Sequence, residues 1–172
     1  LLQGILFGGA AVIGMLRPLN LAPGVIVDGR SVMVSLGALF FGPWVAAVAC
    51  VMTIAFGLGL GGAGTLMGVL VILSAAGIGL LARVRLNPEA QPPSTPRLYV
   101  FGLAVHLAVL ALMFTLPEGA GLAVVTRIGV PVMLLYPLAT ILAGKLLSDQ
   151  VHARRADTSL RQFKTIFDTA NF

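Results

Sequence analysis

Charge is the scarcest property of this sequence. Asp, Glu, Lys and Arg together make up 10% of its 172 residues, where soluble domains carry about a quarter. So little polar surface cannot cover a core of this size in water, which excludes an ordinary soluble domain. Cysteine is nearly absent. The one present, Cys50, lies within an apolar run and excludes an intrachain disulfide framework. Enzyme signatures are missing too: there is no Walker loop, no HExxH, no nucleophile elbow and no pair of carboxylates at working spacing. No catalytic residue, cofactor or metal site is therefore expected.

What fills the sequence instead is apolar. Hydrophobic residues make up 58% and the mean hydropathy is +1.02. The 21 glycines and 10 prolines lie largely inside apolar stretches, which membrane helices tolerate better than soluble ones. The formal net charge of +5 does not mark a nucleic-acid partner, because the basic residues sit in short loops and one tail, as topology signals do. The chain opens at Leu1-Leu2 without a methionine and stops at Asn171-Phe172, so a piece of a longer product is expected. A cleaved signal peptide is not, since Ala10 to Gly14 continues the apolar run with no clear cleavage site.

Six apolar segments can be drawn: Leu1 to Leu16, Ser31 to Phe41, Trp44 to Leu60, Thr65 to Ala82, Leu98 to Leu116, and a sixth reaching Leu147 from a start between Gly121 and Ile128. The breakers between them are Arg17-Pro18-Leu19-Asn20, Gly42-Pro43, Gly61-Gly62-Ala63-Gly64, a polar linker from Arg83 to Arg97, and Pro117-Glu118-Gly119. The expected fold class is an all-α integral membrane protein, a bundle of five to six transmembrane helices in contact with the lipid bilayer. Its second segment is only about 16 Å long as a helix, roughly half the hydrocarbon thickness, and is expected to be short or re-entrant. Arg83, Arg85 and Arg97 around the linker, and Lys145, His152, Arg154 and Arg155 after the last segment, place both regions in the cytoplasm of a plasma-membrane protein. Residues 17–30 then lie outside, with the Gly61 to Gly64 turn and the tip at Pro117 to Gly121. The membrane part is expected over 1–147, followed by a helical linker over 148–160. In 161–172, Phe163, Ile166 and Phe167 fall at i, i+3 and i+4, one face of an amphipathic helix that packs on something soluble.

Arg30 is the leading functional candidate. Asp28 suits the N-cap of the helix that starts there. An arginine in a first turn opposes the helix macrodipole, so stability alone would not select it. Together with first-turn N–H groups it makes an anion site; the plain alternative is a local Asp28–Arg30 ion pair or snorkelling to headgroups. Arg127 is second. It lies about 13 Å inside the sixth helix if that helix starts at Glu118, and such a charge faces a polar cavity; if the helix starts at Ile128, Arg127 is an interfacial anchor. His106, midway along the fifth segment, is either a core histidine bonded to a backbone carbonyl or a ligand contact. Gly57 and Gly61, and Gly64 and Gly68, have the GxxxG spacing of close helix packing, which also leaves room for a ligand at Gly57 and Gly61. Ser35, Thr53, Thr65 and Ser74 are expected to bond back to their own backbone. Arg17 and Asn20 border the outer mouth, where they meet headgroups.

The stretch Pro23-Gly24-Val25-Ile26-Val27-Asp28-Gly29-Arg30, followed by Ser35-Leu36-Gly37-Ala38-Leu39-Phe40-Phe41-Gly42-Pro43 and Gly61-Gly62-Ala63-Gly64, resembles the membrane receptor domain of the LytS/YhcK type, the 5TMR-LYT family. Residues 161–172 resemble the first helix of a PAS domain. The resemblance implies a ligand-sensing transmembrane input module of a sensor histidine kinase or diguanylate cyclase. Its partners would be a small-molecule ligand, its own cytoplasmic output domain and a second copy of itself. Members that sense carboxylates, pyruvate receptors among them, carry a second arginine shortly before the double glycine. Around Gly57 this sequence has none. Either Arg127 supplies that charge, or the ligand is larger and less acidic and fills the room at Gly57 and Gly59. Two other functions fit the same helices: the solute-binding subunit of an energy-coupling-factor type transporter, and a ligand-free anchor and dimerisation scaffold.

Overall fold

Glycine and proline set most of the helix boundaries. Gly42 at φ +85 and Gly61 at φ +67 take backbone conformations that L side chains rarely adopt, and they end two helices. Pro43 and Pro96 stand in first turns, where a missing N–H costs nothing. In the computed structural model the order is α1 (Leu2–Leu16), a hairpin of β1 (Leu19–Ala22) and β2 (Val25–Val27), α2 (Arg30–Phe41), α3 (Pro43–Leu60), α4 (Thr65–Leu86), α5 (Thr95–Leu112), two 3-10 turns, and α6 (Ala120–Ala170). The structure describes all residues except 17, 18, 23, 24, 28, 63, 171 and 172; of 19–22, 25–27, 118, 159 and 161–170 it describes the backbone alone. The strands pair antiparallel, Leu19 opposite Val27 and Ala22 opposite Val25.

The fold is a helical membrane bundle. Four helical stretches are long and apolar enough to cross a bilayer: Pro43–Leu60, Thr65–Leu86, Thr95–Thr115 and Ala120–Thr158. Their outward faces are apolar, with Trp44, Val51, Val130 and Leu142 all exposed, as lipid contact requires. The helices α1 and α2 are shorter.

At 12 residues, α2 is about 18 Å long, well short of a roughly 30 Å hydrocarbon core. It is nevertheless the centre of the bundle. It packs on α1, α3, α4, α5 and α6, and Ser31, Val32 and the run Val34 to Phe40 are buried. Helices gain nothing from hydrophobicity against lipid and must instead approach closely. Gly79 of α4 allows this: a Cβ there would stand 2.5 Å from the Ser35 carbonyl oxygen. Gly4 and Gly8 let α1 close on Val48 and Met52 of α3, and Gly102 lets α5 meet Pro137 of α6.

Three expectations need correction. The linker does not start at Arg83, because α4 continues to Leu86 and carries Arg83 and Arg85 in its last turn. There they complement the helix dipole, and Asn87 in the left-handed conformation ends the helix. The fifth helix runs from Thr95 to Leu112, and Met113–Thr115 and Pro117–Gly119 form 3-10 turns after it. The sixth starts at Ala120 and continues without a break to Ala170, through both Pro131 and Pro137. The side chains of Phe163, Ile166 and Phe167, and of Arg17 and Asn20, lie outside the described residues.

A candidate ligand site at the start of the short helix

The bundle has two chemically different ends, and α2 reaches both. Gly29 occupies the N-cap position of α2, with no side-chain cap, and Arg30 is its first residue. The first amides of a helix have no acceptor within it. The Arg30 side chain lies along α4, where a Cβ on Gly68 would stand 3.3 Å from Nη1. Gly68 therefore makes the space the guanidinium occupies.

Two cavities meet at Arg30. One, about 60 Å³, lies between α2, α4, α5 and α6, with Ser31, His106 and Tyr136 as its polar wall and Met67, Met113 and Ile128 among its apolar one. The other, about 110 Å³, lies towards α1 and α3, where Met15, Gly57, Gly61, Gly64 and Gly68 line it. A single water needs about 10–15 Å³ on such a scale, so each holds a molecule of a few heavy atoms. No carboxylate lines either cavity among the described residues.

His106 is locked in place on three sides. Nδ1 is 2.7 Å from the Gly102 carbonyl oxygen. A carbonyl only accepts, so Nδ1 carries the proton. In the neutral ring Nε2 is then the acceptor, and Ser31 Oγ, 3.3 Å away, donates to it. The ring stacks on Tyr136 with centroids 4.5 Å apart. The carbonyl bond expected of a core histidine is present, and the same ring forms cavity wall.

The opposite end of α2 is held by another arginine. Arg83 Nη1 donates to the Leu39 and Phe40 carbonyl oxygens at 3.0 and 2.8 Å. Its Nη2 pairs with Glu89. Glu89 in turn meets Arg155 of α6, 3.5 Å from Oε2 to Nη2, and also accepts from Arg155 through its backbone carbonyl. A chain of polar contacts thus runs from the last turn of α2 to α6.

Of the residues singled out from sequence, Arg30, Gly57 and Gly61 line one cavity, and Arg30 and His106 the other. Gly57, Gly61, Gly64 and Gly68 do not bring two helices together; they are the floor around Arg30. Arg127 lies within α6, seven residues from its start, and its side chain is exposed on the outside of the bundle, away from both cavities. Asp28 lies outside the described residues. Ser35, Thr53, Thr65 and Ser74 each bond back to a carbonyl three or four residues earlier, as expected. Ser31 and Tyr136 were missed. Ser31 meets a residue 75 positions away, which no local pattern reveals; a tyrosine in the apolar run between Pro131 and Pro137 was the available sign of the other.

The family model for the 5TMR of 5TMR-LYT matches residues 1–150. The chain belongs to the 5TMR-LYT family. No curated protein and no solved structure matches it. A 5TMR-LYT domain is a membrane sensor module of signalling receptors, an input element and not itself a catalyst. Its matched part takes in every residue of both cavities and of α2.

Proposed function

We propose that this 5TMR-LYT domain is the ligand-binding input module of a sensor histidine kinase or diguanylate cyclase, taking a small anionic molecule into the cavities at Arg30. The observation that carries the reading is the position of Arg30. It stands at the N-terminus of the most buried helix, at the junction of two cavities, on a glycine that makes room for it. A guanidinium beside first-turn amides recognises carboxylate or phosphate oxygens. Arg83, Arg85, Arg97 and Arg155 gather at the other end, which supports a cytoplasmic C-terminus in the plasma membrane and an outward-facing Arg30.

A ligand drives a conformational change only if it binds two packings with different affinity. Here α2 is the element that differs. An anion drawn towards its first turn shifts α2, and the shift reaches α6 through Arg83, Glu89 and Arg155. Residues 148–160 then pass it to the PAS-like segment at 161–172. The unbroken helix from Ala120 to Ala170 supports signalling over transport, since a solute-binding subunit has no use for it. Two copies pair along α6, where exposed Val130, Leu134, Leu138, Leu142 and Leu146 recur every four residues.

The test is the melting temperature of the purified protein against small carboxylates, nucleobases and amino acids, with Arg30→Ala in parallel. A carboxylate that raises the value for the wild type alone is the expected result. A panel in which only uncharged compounds act, or in which both proteins respond alike, would overturn the assignment.

A further inference from the structure

A third hollow lies at the opposite end of the bundle from Arg30 and is larger than either cavity there. It is a crevice of about 360 Å³ opening between α1 and α6, with α2 behind it. That volume lies within the range of about 300–1,000 Å³ typical of ligand pockets. Its walls divide by chemistry. Leu6, Phe7, Phe40, Phe41, Leu147 and Val151 make one side apolar, and Leu6 at its lip is exposed. Arg154 and Arg155 make the other side basic, with Gln3 and Gln150 beside them. Two arginines face one carboxylate, Glu89, and that carboxylate pairs with Arg155. Arg154 forms no ion pair among the described residues, so the crevice keeps a surplus positive charge.

We infer that this crevice is a binding site for an anionic phospholipid. An apolar wall beside a cationic one fits a molecule with an acyl chain and a phosphate, not a freely soluble anion. Basic pockets between membrane helices at the cytoplasmic surface take such headgroups. Under the orientation proposed above, the crevice lies at that surface, its arginines between two and three turns beyond Lys145. The acyl chain lies along Leu6, Phe7 and Leu147, and the phosphate sits between Arg154 and Arg155. The lipid then shares Arg155 with Glu89, the last link between α2 and α6, so membrane composition bears on the same contact that carries the signal.

The test is lipid retention by the intact detergent-purified protein in native mass spectrometry, with phosphatidylglycerol and phosphatidylcholine of identical acyl chains. Phosphatidylglycerol is expected to stay bound under conditions that strip phosphatidylcholine, and Arg154→Gln to weaken its retention about fivefold. Arg154 is exposed, so this variant folds; Arg30→Ala is expected to retain the lipid as the wild type does, which separates this site from the one proposed at Arg30. Equal retention of the two lipids, or of phosphatidylglycerol by wild type and Arg154→Gln, would overturn the inference. Displacement of phosphatidylglycerol by inorganic phosphate alone would show a free-anion site instead. Retention of neither lipid would likewise overturn the inference.

Discussion

At the start of α2 an arginine stands against the helix dipole, and at its end another stands with it. Arg83 sits where a cation belongs, donating to two carbonyls of the last turn and pairing with Glu89. Its guanidinium ties α4 to the end of α2 and to Glu89 of the linker. Arg30 sits where a cation is unfavourable, at the junction of two cavities. The same residue type thus stands at both ends of α2, from α4 at the last turn and from α2 itself at the first. Carbonyl oxygens and an acid meet Arg83, whereas two cavities open beside Arg30, with Gly68 against its guanidinium.

The largest break in this comparison comes from Arg83→Ala, which removes two charge-assisted bonds to helix-end carbonyls. Chemical or thermal unfolding should show a loss of about 2 kcal/mol, and Arg83→Lys should recover less than half of it, because an ammonium cannot reproduce the planar fork. Next is Ser31→Ala. It leaves His106 Nε2 without its donor and is expected to cost about 1 kcal/mol in the same assay. Gly68→Ala is smaller in stability, within about 0.5 kcal/mol, since its Cβ meets a mobile side chain and not backbone. Its effect appears in calorimetric ligand affinity instead, where displacing the guanidinium is expected to cost about tenfold. Glu89→Gln is the smallest. Its pairs are half-exposed and contribute well under about 1 kcal/mol, so melting should hardly change, while ligand-dependent output of the full receptor should fall.

Much of the fold was legible in the sequence. Apolar runs gave the helices, and Gly42-Pro43 and the Gly61 turn gave their ends, because these residues act through local backbone geometry. The central place of α2 was not legible. Its length pointed to a short or re-entrant piece, and only the packing shows that five other helices meet on it. The glycines carry the same lesson. Gly4 and Gly8 have the spacing of Gly57 and Gly61, yet the first pair closes on a helix and the second lines a cavity. Spacing sets which glycines share a face, not what that face meets. Arg30 could be read from its conflict with the helix dipole, which is local; Arg127 could not be placed, because the direction it faces depends on the rotation of α6 in the bundle. Where Arg83 points was equally hidden, since its partners lie on another helix more than 40 residues away.

The most direct measurement compares the two arginines in one binding experiment. Equilibrium binding of the most stabilising small carboxylate is measured on the wild type, Arg30→Ala and Arg83→Ala under conditions where all three are folded. Binding is expected to be lost in Arg30→Ala and kept within a fewfold in Arg83→Ala. Undiminished binding in Arg30→Ala, or equal loss in both, would contradict a site at the start of α2.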